Sequence, residues 1–146
     1  MIFNKSPENL FAAVFNVPQG GVMTVAVSLF MGQTDAVSLF RTFACAYCAG
    51  VMLTLFLRIP AFGDWVAKKL GCAEKRVAGY LVSAAAGGAL MGVFMNFCIT
   101  FMQIGPVSYF PAAFFHTLLF SIVVSAISSC LWVAPVSALV GRVYGK

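Results

Sequence analysis

The sequence predicts an all-α integral membrane protein, with four transmembrane helices laid out as two tandem helical hairpins related by a pseudo-two-fold axis along the membrane normal. Three observations carry that expectation: a long uncharged run, a turn inside it, and a repeated pattern. Residues 77–141 hold no Asp, Glu, Lys or Arg, and His116 is the one basic side chain among them. A bilayer core takes about 20 apolar residues per helix, so a run of that length must turn back on itself. Gly105, Pro106 and Pro111 supply the turn. The composition agrees, at 62% hydrophobic and 9% charged, against about 25% charged in a soluble domain. An ordinary water-soluble domain is excluded.

Charge breaks set the elements in order. The first span, residues 10–31, follows a start whose only charges are Lys5 and Glu8. Without a basic start and a small-residue cleavage site it reads as a retained helix, not a signal peptide. The second span, residues 41–60, begins at Arg41 and ends at Pro60. Residues 61–70 carry Asp64, Trp65, Lys68 and Lys69 and read as a short amphipathic helix at the headgroups. The third and fourth spans are residues 77–102 and 113–139. Two units follow, residues 1–71 and residues 72–146.

Four crossings put the two termini and the central loop on one side. That side collects Lys5, Arg58, Lys68, Lys69, Lys75, Arg76, Arg142 and Lys146, and the other receives Arg41. The bias predicts cytoplasmic N- and C-termini in a cell inner membrane. The net charge of +5 is then accounted for by topology and anionic lipid headgroups. The bilayer is the expected partner, and nucleic acid is not.

Spans two and four align at one constant offset. Phe40-Arg41-Thr42 and Pro60 fall on Phe115-His116-Thr117 and Pro135, so each unit sets a basic residue about 28 Å before a proline. Spans one and three align through Gly21-Val22 with Gly92-Val93 and Phe30-Met31 with Phe101-Met102. Two spans per unit insert both units the same way round. Small residues then recur every fourth position: Thr42, Ala46, Gly50 and Thr54; Thr117, Ser121, Ser125 and Ser129; Ala84, Gly88, Gly92, Asn96 and Thr100. Such stripes, with Gly50, Ala84, Gly88 and Gly92 among them, let helices pack closely. They also suit a narrow polar path lined by Asn16, Gln19 and Asn96.

The unit resembles an uncharacterised bacterial family of two-helix membrane hairpins, catalogued as a domain of unknown function. The first copy offers Lys5-Ser6-Pro7-Glu8-Asn9, Met23-Thr24, and Pro60 followed by Lys68-Lys69; the second offers Met91, Met95-Asn96, and Pro135 followed by Arg142. The family's Met-x-x-aromatic-Asn step is not cleanly present in either copy. The resemblance implies a hairpin architecture and a bacterial inner membrane, and it brings no activity with it.

Two further constellations bear on chemistry. Cys45-Ala46-Tyr47-Cys48 is a CxxC, which points to redox exchange or, as ordinary thiols, to packing. A quinone-linked disulfide-forming enzyme would also need a second, loop-borne cysteine pair. Cys72, Cys98 and Cys130 do not supply one. One histidine and no nearby carboxylate cannot complete a tetrahedral zinc site with this pair, so no metal and no cofactor are expected. Arg41 and His116 take matching positions at the outer rim. They either snorkel to the headgroups or form a rim that gathers an anionic or polar solute, with His116 making it pH-sensitive.

Three functions fit these residues. A transporter or channel-like protein for a small solute or ion, assembled as a homo-oligomer, uses Arg41, His116, Asn16, Asn96, Thr42, Thr117, Ser121 and Ser125 as its path. An accessory subunit would pack against another membrane protein through its small-residue faces. A membrane thiol oxidoreductase would use Cys45 and Cys48. The polar stripes running the depth of spans two and four favour transport.

Overall fold

The computed structural model describes residues 7–72, 74 and 76–145. Lys5, Ser6, Lys75 and Lys146, used above for orientation or for the hairpin resemblance, lie outside the described residues, and the Arg76 side chain is not described. The chain forms five helices: α1 (Pro7–Phe30), α2 (Ala36–Phe56), α3 (Ile59–Lys69), α4 (Arg76–Ile104) and α5 (Phe110–Val143). Four of them, all but α3, are long and apolar enough to cross a membrane. At 34 residues α5 is the longest, about 51 Å against a hydrocarbon core of about 30 Å.

Local chemistry sets the helix ends. Asp35 caps α2, its carboxylate accepting the Ser38 amide at 2.8 Å. Gly32, Gly71 and Gly105 adopt positive φ just past α1, α3 and α4, the left-handed step that ends a helix most cheaply. The exception is the break after α2, where Arg58 takes that conformation with φ 45°. It ends span two at Phe56, short of the expected Pro60. Pro60 instead stands in the first turn of α3, whereas Pro135 lies inside α5. The two prolines aligned in the sequence therefore serve different roles, because the chain breaks after α2 whereas α5 runs on through its proline.

The amphipathic segment expected at residues 61–70 is α3, docked along the first three turns of α4 rather than free at the headgroups. It buries Ile59, Gly63 and Ala67 on one face. A side chain on Gly63 would collide with the Ser83 carbonyl, and the Ser83 hydroxyl donates to Asp64 at 2.7 Å. Trp65 stays exposed, with the Lys69 ammonium 5.0 Å from its ring centre.

In the bundle α1 and α4 touch each other, and each touches both α2 and α5, while α2 and α5 do not meet. Met23, Val27, Ala46, Ile59, Met91, Met95 and Ile99 form the apolar core. Apolar burial adds little to helix association in lipid, so close contact must carry more of the stability. Gly50 and Gly88 provide it: a side chain on Gly50 would strike Asn16, and one on Gly88 would stand 2.7 Å from the Ser125 carbonyl.

Burial repeats along the chain. The buried face of α1 is Ala12, Phe15, Asn16, Gln19, Gly20, Met23, Thr24, Val27 and Ser28. The buried face of α4 is Ala84, Gly87, Gly88, Met91, Gly92, Met95, Asn96, Ile99 and Thr100, the same spacing at every position. This register pairs Gly20 with Gly92 and Met23 with Met95, one residue away from the alignment by letters that paired Gly21 with Gly92. In α2 and α5 the buried stripes Thr42, Ala46, Gly50, Thr54 and Thr117, Ser121, Ser125, Ser129 keep the expected offset.

Candidate functional site: a polar seam and its cavity

The end of the bundle that holds the start of α1, α3 and the close of α5 is here the terminal end, and the opposite end the loop end. Between them the buried faces of α1, α2, α4 and α5 carry polar side chains at every level. Near the loop end, Gln103 donates to the Ser28 hydroxyl. One layer in, the Asn96 carboxamide oxygen accepts the hydroxyls of Thr117 at 2.8 Å and Ser121 at 2.9 Å, and its nitrogen donates to the Phe114 carbonyl at 3.0 Å. At mid-depth the Gln19 nitrogen donates to the Ser125 hydroxyl at 2.6 Å, and that hydroxyl donates to the Gly88 carbonyl at 2.7 Å. Asn16 donates to the Ala12 carbonyl at 2.8 Å and to the Thr54 hydroxyl at 3.0 Å.

The layers differ in how fully they are satisfied. Asn96 uses both ends of its carboxamide. The oxygens of Asn16, Gln19 and Gln103, and the hydroxyls of Thr24, Thr42, Thr100, Ser128 and Ser129, are buried without a partner in the protein. Such an atom costs about 1–3 kcal/mol, and hydrocarbon offers it no water in exchange.

At the terminal end a cavity of about 870 Å³ opens between α1, the last turn of α2, α3, α4 and α5. Glu8, Arg58, Asp64 and Lys68 stand at its mouth, Phe11, Phe15, Tyr80 and Val133 along its walls, and Thr54, Gly88 and Ser129 at its inner end. The Tyr80 hydroxyl donates to the Cys130 carbonyl at 2.9 Å and accepts the Ala134 amide at 3.1 Å. Those two groups would pair across one turn of α5, so the phenol enters the helix ladder just before Pro135. At the loop end a shallow groove of about 420 Å³ runs beside Phe30 and His116 and reaches Thr117. The His116 ring lies 5.3 Å from Phe30, which stacks on Phe120 at 4.7 Å.

Asn16, Asn96, Thr117, Ser121 and Ser125 converge in the seam, and Thr42 is buried beside it without a hydrogen bond from its hydroxyl. Arg41 and His116 are both exposed, on helices that do not meet. Cys45 and Cys48 are free thiols, the first half-buried and the second exposed. Sequence reasoning missed Ser28, Gln103 and the cavity. The first two follow the spacing of the α1 and α4 faces; the cavity depends on α3 docking, which no spacing announces.

Fold and site together define a small helical protein with four helices long and apolar enough to span a membrane and a polar interior. Comparison with protein-family models, curated proteins and solved structures returns no match.

Proposed function

We propose that the protein is a small-solute or ion transporter, or a channel-like protein, of a bacterial inner membrane, acting as a homo-oligomer with its termini and cavity mouth on the cytoplasmic side. The observation that carries this reading is the continuity of cavity and seam: Thr54 and Ser129 belong to both. A bundle that only packs gains nothing from buried carboxamide oxygens left without partners. A path needs polar groups held inside the membrane for something that passes.

Arg58, Lys68, Lys69 and Arg142 at the terminal end, against Arg41 at the loop end, support the orientation. The matching burial of α1 with α4, and of α2 with α5, supports a tandem duplication with a pseudo-two-fold along the membrane normal. The resemblance to the two-helix hairpin family belongs to the same proposal. Arg41 and His116 then act as separate rim residues, one per hairpin.

A specific observation favours the second reading, an accessory subunit. α2 is the least covered span, with Ala44, Cys48 and Met52 on its open face. Uptake of small polar solutes and ions by liposomes holding the purified protein separates the two. Transport predicts uptake above protein-free liposomes; no uptake, together with stoichiometric co-purification of another membrane protein, overturns it in favour of the accessory role.

A further inference from the structure

We propose that the first turns of α1 (residues 7–17) and the last turns of α5 (residues 136–143) swing together as a flap about Pro18 and Pro135, opening and closing the terminal-end cavity. The inference goes beyond the transport reading, because a flap serves a ligand that stays as well as one that passes.

The apolar packing divides where the prolines fall. One cluster joins α1 beyond Pro18, through Met23 and Val27, to Ala46, Ile59, Met91, Met95 and Ile99. The second cluster joins the start of α1 to the end of α5: Phe15 packs with Val136 and Val140, flanked by Leu10, Phe11, Val14, Val133 and Tyr144. Among the described residues it draws nothing from α2, α3 or α4. Phe30 stacks on Phe120 near one end of the α1 and α5 pair, and Phe15 packs with Val136 near the other. Those pairings put Pro18 and Pro135 at depths within about one turn, 5.4 Å, of each other. Two joints at one level let the two segments move as a unit.

The joints lack ladder bonds. Pro18 has no N–H for the Val14 carbonyl, and Pro135 none for the Leu131 carbonyl. Helices kink at such interruptions. In α5 the preceding rung is taken as well: the Cys130 carbonyl and the Ala134 amide both bond the Tyr80 hydroxyl of α4, at 2.9 Å and 3.1 Å. When the phenol withdraws, those two groups pair with each other, so neither arrangement leaves them unsatisfied in lipid. Tyr80 is thereby a latch between two positions of the α5 end. Asn16 is a second one, through its bond to Thr54 of α2 at 3.0 Å.

The cavity lies where such a flap would act. Phe11, Phe15 and Val140 line it from the flap; Ile59, Tyr80 and Gly88 line it from the rest of the bundle. α3 closes its other side and meets neither α1 nor α5, so no helix contact ties the flap to the opposite lip.

The test is pulsed spin-label distance measurement on the full chain in nanodiscs, with its five cysteines replaced by Ser. One label pair spans flap and bundle, Leu139→Cys with Leu70→Cys, and a control pair stays within the bundle, Leu119→Cys with Met52→Cys; all four native side chains are exposed. The flap pair should give a distance distribution about twice as wide as the control. Pro18→Ala with Pro135→Ala restores both ladder donors and should narrow the flap pair to the width of the control. Tyr80→Phe should shift the flap pair to longer distances, because no phenol then draws α5 towards α4. A wild-type flap pair no wider than the control overturns the proposal without any proline variant having to fold, and so does a width that the proline variant leaves unchanged. A wide flap pair without solute uptake sustains the flap and removes the transport reading. Uptake with a narrow flap pair overturns the flap and leaves transport standing.

Discussion

Gln19 reaches across from α1 to Ser125 on α5, its amide nitrogen 2.6 Å from the hydroxyl, and its own oxygen is left buried with no partner. Ser125 keeps its bond to the Gly88 carbonyl whatever happens to Gln19. Interhelical hydrogen bonds in membrane proteins average about 0.6 kcal/mol, so Gln19→Leu should cost less than about 1 kcal/mol of stability. Reversible unfolding in detergent checks this, and a loss of several kcal/mol would show that Gln19 is a structural clamp instead.

Close approach makes a sharper demand at Gly88. An added methyl there meets the Ser129 hydroxyl at 2.5 Å and the Ser125 carbonyl at 2.7 Å, and the backbone atom cannot swing aside. Gly88→Ala should destabilise by about 1–3 kcal/mol. Gly21→Ala is the control, because its methyl meets only the Phe43 ring at 3.8 Å. Thermal melts of the two variants should separate clearly; equal melts would mean that α4 and α5 are not packed as described.

Much of this arrangement was legible before the fold was seen. Thr42, Gly50, Thr117 and Ser125 declared their face because a four-residue spacing of small polar groups leaves no other way to pack in lipid. Asn16, Gln19 and Asn96 stood out as amides in apolar helices. The break after α2 was misplaced because a proline serves a helix start as well as an end, and here Pro60 opens α3. The buried faces of α1 and α4 match at an offset one residue away from that of the letters, Gly21 with Gly92, because identical letters carry no information on which face is buried.

Arg58 holds a conformation that costs a residue with a β-carbon about 1–2 kcal/mol. Arg58→Gly should therefore raise thermal stability by up to about that amount. A lower melting temperature would show that the Arg58 side chain makes a contact that outweighs the strain.

Cys45 and Cys48 are free and no polar partner draws them into the seam. Replacing both with Ala should leave solute uptake within about twofold of the wild type, as expected for thiols that act as small hydrophobes. Loss of all activity in that double variant, with folding intact, would favour the thiol oxidoreductase.

The central claim is that a solute admitted through the terminal-end cavity passes along the seam. Charge movement on a solid-supported membrane carrying the reconstituted protein, after concentration jumps of a panel of small ions and charged solutes, reads that passage directly. A saturable current is expected from the wild type, at least about tenfold smaller in Gln19→Leu. A current no larger than that of protein-free membranes, or one that Gln19→Leu leaves unchanged, would contradict it.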